Sequence, residues 1–156
     1  MIPLYRALLQ QGGAFVDKLG ALSELGRRMW LSVPILEPDA STPTYTPTLT
    51  AVANVAASTA YACQYLRVGS TVLVSGQVAI DPTAGATLTR LGISLPVPSS
   101  LTAAEQCGGT AAQPDLAGAV AAIRGDATND RAELAYTTGA DVANRIWSMT
   151  FSYQVI

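Results

Sequence analysis

The stretch Thr71-Val-Leu-Val-Ser-Gly-Gln-Val-Ala-Ile80 decides how this chain is read. Val72, Val74, Gly76, Val78 and Ile80 alternate with Leu73, Ser75, Gln77 and Ala79, and a period of two is that of a strand with one buried face. Residues 60–68 (AYACQYLRV), just before it, are also rich in β-branched and aromatic types. Gly69-Ser70 separates the two runs, and a two-residue connection with glycine predicts a tight hairpin. On the other side, Asp81-Pro-Thr-Ala-Gly85 predicts the next turn, because Asp, Pro and Gly each favour turn geometry.

The same grammar continues outward from that hairpin. Residues 87–95, 107–113, 118–125, 131–137 and 145–155 read as further strands, with turn chemistry at 96–100, 126–130 and 138–144. In the last of them Trp147, Met149, Phe151, Tyr153 and Val155 share one face, so this strand is expected to cross the core and to be tied down near Ile156. About eight short strands without a helical stretch between them predict a mainly β domain over residues 44–156, an antiparallel β-sandwich or jelly-roll-like fold.

Before residue 33 the period changes. Leu4, Leu8, Phe15, Leu19, Leu22, Leu25 and Met29 recur at spacings of three, four and seven, which predicts an amphipathic helical segment over 1–32. Pro3 suits a first turn, Gly12-Gly13 predicts a kink or break, and Arg27-Arg28 complement a helix C-terminus. Residues 33–43 then hold Pro34, Pro38 and Pro43 among polar residues, the composition of a semi-extended linker. A helix set off by such a linker can pack on its own β domain or grip another subunit. The second is the expectation here, with Leu4, Leu8, Phe15, Leu19, Leu22 and Met29 as the anchoring interface.

Composition narrows the function classes. Charged residues are 13% of the 156, against about 25% in an average soluble domain. So thin a charged surface is expected to be covered in part by copies of the chain or by a partner. Lys18 and eight arginines are spread without a cluster, so nucleic acid is not expected as a partner. No apolar run reaches roughly 18 residues, so no membrane-inserted helix is expected. The first residues lack the pattern of a secretory signal, and folding in a cytoplasm is expected, with Cys63 and Cys107 reduced and buried. The strand map leaves open whether those two cysteines pair.

Chemistry is sparse. The chain has no histidine, so a Ser-His-Asp or Cys-His arrangement cannot be built. Asp126, Asp130 and Glu133 form the best acidic cluster, but Asp126-Ala-Thr-Asn-Asp130 is also hairpin-turn chemistry, and that use is expected over acid–base catalysis or calcium binding. Asp81 beside Pro82 is a turn. Cys107-Gly-Gly has no accompanying base, and Gly108-Gly109 leads into no lysine-bearing helix start. No catalytic residue, metal site or cofactor is expected.

Several phrases in fixed order carry a resemblance. They are Thr44-Tyr-Thr-Pro-Thr-Leu-Thr50, Asn54-Val-Ala-Ala-Ser-Thr-Ala-Tyr61, Cys63-Gln-Tyr-Leu-Arg-Val-Gly69, Val74-Ser-Gly-Gln-Val78 and Asp81-Pro-Thr-Ala84. Leu91-Gly-Ile-Ser-Leu-Pro96, Gly108-Gly-Thr110, Asn129-Asp-Arg131 and Phe151-Ser-Tyr-Gln-Val155 continue them. Over about residues 44–156 the chain resembles a module of small tailed-bacteriophage virion proteins, tail-fibre-like or decoration-type. The resemblance implies a structural, non-enzymatic role in a virion, assembled in the host cytoplasm, as a homo-oligomer and most often a homotrimer. It implies other virion proteins, tail or capsid subunits, as partners. The leading expectation is a helix-anchored β module of the tail that contacts a host glycan or protein through residues 82–86, 96–100 and 138–144. The alternative is a capsid decoration or head-fibre protein that stabilises the capsid. No shaft-like repeat precedes the β module, which favours a compact appendage over a long fibre.

Overall fold

The computed structural model describes residues 43–156. The helical segment expected over 1–32, its six anchoring residues and nearly all of the linker lie outside the described residues. Ten strands follow one another: β1 (Thr44–Tyr45), β2 (Leu49–Ala53), β3 (Val55–Ala60), β4 (Cys63–Val68), β5 (Thr71–Pro82), β6 (Leu88–Ser94), β7 (Cys107–Ala112), β8 (Val120–Asp126), β9 (Arg131–Thr137) and β10 (Arg145–Gln154). A single 3-10 turn, Ala104–Gln106, precedes β7. The mainly β expectation holds, and every pairing is antiparallel.

The expected hairpin is the spine of the fold. Val68 pairs with Thr71 across Gly69-Ser70. Gly69 has φ of +62°, the left-handed value that the first position of a type II′ turn needs and that glycine adopts without strain. β5 then runs for twelve residues. Its first half pairs with β4 and its second half with β3, so residues 55–68 form one bent arm along it.

Nine of the ten strands follow one hydrogen-bonded path, β1-β4-β5-β10-β7-β8-β9-β6-β2, and β3 joins the sheet off that path through β5. That path curls back on itself. β2 pairs with β6 at one end and β3 with β5 at the other, and Asn54 alone separates β2 from β3. The curl directs one face of β5, β6, β8, β9 and β10 inward, while β2 and β3 lie over its edge with no fully buried residue. Val72, Val74, Val78 and Ile80 meet Trp147, Met149, Phe151 and Tyr153, and Leu91, Ile93, Leu134 and Ile123 close the core from the far side. Both alternations read from the sequence therefore point as expected. Ala79 departs from its predicted outward exposure and is buried, being small and set between Thr59 and Ile146 on its neighbours.

Glycine admits the closest approaches. A Cβ on Gly76 would overlap the Sγ of Cys63, and one on Gly109 would overlap Phe151 and the Thr150 carbonyl. The close packing of protein interiors leaves no room to absorb such atoms. The far end of the chain is held as expected. The Val155 N–H donates to the Ser70 carbonyl at 2.6 Å, and the Ile156 N–H donates to that of Ser99 at 3.2 Å.

Candidate functional site

The acidic cluster separates into three structural jobs. Asp126 ends β8, and its Oδ2 accepts Nδ2 of Asn129 and Nε of Arg131, each at 2.8 Å. Burial pushes the Asp126 carboxyl up, but those donors and the Arg131 charge outweigh it and hold the group below the ordinary carboxylate value. Asp130 sits in the turn with φ of +46°, which Asp tolerates better than most residues. Its two oxygens accept the Leu101 N–H at 2.8 Å and the Ser99 N–H at 3.2 Å. Burial again raises it, and the backbone donors of residues 99–101 lower it further. The turn use expected for this loop is what its side chains do.

Glu133 faces outward by strand alternation, yet it is 2% exposed. Arg90 on β6 and Arg124 on β8 flank it, and its Oε1 accepts from both at 2.6–3.3 Å. The Arg131 guanidinium lies against Gly92 beside them. The outer wall of β8, β9 and β6 is thus a charged lattice whose partners are already matched. Among the described residues no three acidic or cysteine side chains gather as a metal would need, and no helix is long and apolar enough to cross a membrane.

The three loops named as contact candidates do not form one surface. Leu88 pairs with Thr137 and Ser94 with Arg131, so residues 82–87 and 138–144 lie at one end of the curled sheet and 95–100 at the other. The first two loops are bound together: Ala86 N–H donates to Gly139 O at 2.8 Å, and Thr138 Oγ1 donates to Ala84 O at 3.0 Å. The third is clamped by Asp130, by Ile156 and by Tyr153, whose hydroxyl donates to Val97 O at 2.8 Å.

A different surface stands out. Outward positions along β4, β5 as far as Gln77, β10 and β7 bear no charged side chain. One cross-strand row reads Gln64, Ser75, Thr150, Thr110 and Ala122, and the next reads Gln77, Ser148, Ala112 and Val120. Except for Gln64, these uncharged residues line an open trough of about 810 Å³. A row nearer the Gly69 turn carries Leu66 and Leu73, paired with each other and exposed at 47% and 45%. No family model, curated protein or solved structure matches this chain.

Sequence reasoning missed the trough because it looked for titratable groups. The signal was present in the final strand, where Ser148, Thr150, Ser152 and Gln154 alternate with the core residues. A solvated strand face ordinarily carries Lys, Glu or Arg. An uncharged one four strands wide points to contact, since interface cores are depleted of charge.

Proposed function

We propose that this chain is a structural protein of a tailed-phage virion, a helix-anchored β module of the tail that works through surface contact and not through catalysis. The observation that carries this is the division of the outer wall. Its charges are paired on β8, β9 and β6, while β4, β5, β10 and β7 present Ser, Thr, Gln, Ala and Leu. Such a face is inexpensive to desolvate against another protein, because it strips no charge of water. The phage-module resemblance over about residues 44–156 supports the same reading and implies a homotrimer docked to tail subunits. In this reading the curled sheet is the sandwich or jelly-roll-like domain of that module. The loop pair at 82–87 and 138–144, with exposed Val142, is the end turned toward a host glycan or protein.

Antibody against residues 44–156, applied to intact particles and viewed by electron microscopy, tests the proposal. Label on the tail or its tip supports it. Label over the head moves the protein to capsid decoration, and particles without label remove it from the virion. Deleting residues 1–40 is expected to leave a folded β domain, since Ser41–Ile156 is a compact unit, that no longer enters particles.

A further inference from the structure

We infer that the crevice between the 113–119 connection and the 138–144 loop is a subsite for a neutral hexose, entered by the sugar's hydroxymethyl group. Gln113, Leu116, Asp141 and Arg145 are among its lining residues, and it holds about 40 Å³. Gln113 Oε1 is buried in that lining with no hydrogen-bond partner among the described residues. An unpaired buried acceptor costs free energy, so the site favours an O–H or N–H brought from outside the fold. One water needs about 10–15 Å³, and the larger volume here admits a carbon with its hydroxyl. Such a group displaces water on favourable terms, because its O–H renews the bond to the amide. At the rim, Arg145 Nη2 donates to Asp141 Oδ2 at 2.9 Å, with both side chains reaching solvent. The pair offers acceptors and donors side by side, which suits adjacent ring hydroxyls that each donate and accept. Leu116, 47% exposed, gives apolar contact to the C–H face of a sugar ring. Asp81, Asp115 and Asp141 outnumber Arg145 at this end of the sheet. That excess disfavours an acidic ligand, and Arg145 in turn disfavours an ammonium. The walls are set in advance. A Cβ on Gly85 would overlap the carbonyls of Gly139 and Ala140, so the two loops pack without slack. The Gln113 N–H donates to Ala119 O at 3.1 Å, and its carbonyl accepts the Leu116 N–H at 3.4 Å. A site already held in place loses little entropy when it takes a ligand.

This inference rests on the reading of the loop pair as the host-facing end, and names what that end recognises. The full-length chain is examined by saturation-transfer NMR with the methyl glycosides of glucose, galactose and mannose at millimolar concentration. The xyloside, arabinoside and lyxoside, which lack the hydroxymethyl group of each in turn, are the matched controls. At least one hexoside is expected to be saturated, and its pentoside to bind about tenfold more weakly through loss of one buried hydrogen bond. Gln113→Leu is expected to weaken that hexoside about tenfold as well. It should melt no lower than wild type, because it removes an unpaired acceptor. A merely structural glutamine would instead lower the melting temperature and leave sugar binding unchanged. Should Gln113→Leu not fold, Asp141→Asn with Arg145→Gln takes its place, with the same loss expected. Glu105→Gln lies beyond the opposite end of β7 and is expected to bind as wild type does. No saturation of any hexoside, pentosides that bind as well as their hexosides, a Gln113→Leu protein of full affinity, or an equal loss in Glu105→Gln overturns the subsite. An analogue with a carboxylate or an ammonium in place of the hydroxymethyl group's hydroxyl that binds more tightly than its parent overturns the neutral class. Sugar binding by a chain that never labels particles keeps the subsite and sinks the virion reading, and a labelled tail without sugar binding does the reverse.

Discussion

Asn54 Nδ2 donates to the Oγ1 of Thr89 at 2.7 Å, joining the residue that separates β2 from β3 to the fully buried threonine of β6. The same amide donates to Ala84 O at 2.9 Å and accepts the Ala84 N–H at 2.8 Å, while its backbone carbonyl takes the Thr83 N–H. One side chain therefore ties the two ends of the curled sheet to the turn that follows β5. Asn also suits the site conformationally, since φ is +53° there and Asn enters the left-handed region more readily than most residues. Asn54→Ala should destabilise by about 2–4 kcal/mol, the sum of the lost hydrogen bonds and left-handed strain, although the Thr89 hydroxyl keeps its bond to the Thr87 carbonyl. Thr89→Val keeps the shape and should cost less, about 1–2 kcal/mol. Urea melts of the two variants and their double test it, and strictly additive losses would show that the pair is not coupled.

Gly76 and Cys63 form the tightest packing point of the hairpin arm, since any Cβ at 76 occupies the space of the thiol. Gly76→Ala should destabilise by about 1–3 kcal/mol through overpacking. Cys63→Gly in the same chain removes the obstructing atoms, so the double variant should lose less than the two single losses added together. Thermal melts of the three variants decide it, and a Gly76→Ala protein as stable as wild type would mean that the backbone there gives way freely.

Much of this architecture was legible in residue types. Alternation placed Val72 to Ile80 and Trp147 to Tyr153 on buried faces, and Gly69 marked its turn, because strand period and turn chemistry are local properties. Asp126 and Asp130 were readable as turn residues for the same reason. Closure was not readable. β2 pairs with β6 and β3 with β5 on either side of Asn54, whose side chain meets Thr89 thirty-five residues away, and nothing near Asn54 in the chain announces that partner. The trough was hidden for a related cause. Ser75, Thr150 and Thr110 come from distant segments and share a surface through register alone, while each by itself is an ordinary polar strand position.

Asp130 should make the loop at 96–101 sensitive to acid. Its folded carboxyl lies below the ordinary value, so its charge stabilises the fold above about pH 4, and that contribution is lost as pH falls through the depressed folded value. Asp130→Asn retains one acceptor and tolerates the positive φ, but never carries the charge. It should be less stable than wild type by about 1–2 kcal/mol at neutral pH, and the gap should close on acidification below pH about 4. Melting temperatures of both proteins from neutral pH downward test this, and a gap that ignores pH would show that the charge contributes nothing.

The thiols should set the alkaline limit. Burial pushes Cys107 up to about 11 and raises Cys63 as well, with a hydrogen bond from the Gln77 backbone opposing the shift at Cys63. A raised folded value means that the neutral thiol's contribution is complete below the unfolded value of about 8.5 and is lost as pH rises toward the folded one. Tyr153, raised to about 12 mainly by burial, adds a second loss that begins near its unfolded value of about 10. Stability should therefore stay level through neutral pH and fall between about pH 8.5 and the folded values, and Cys107→Ala should flatten the first part of that fall. Both thiols are free and buried, so a thiol reagent at mildly alkaline pH should label neither in the native protein and both after denaturation. Prompt labelling of the native chain would mean that the core opens around Cys63 and Cys107 far more often than its packing allows.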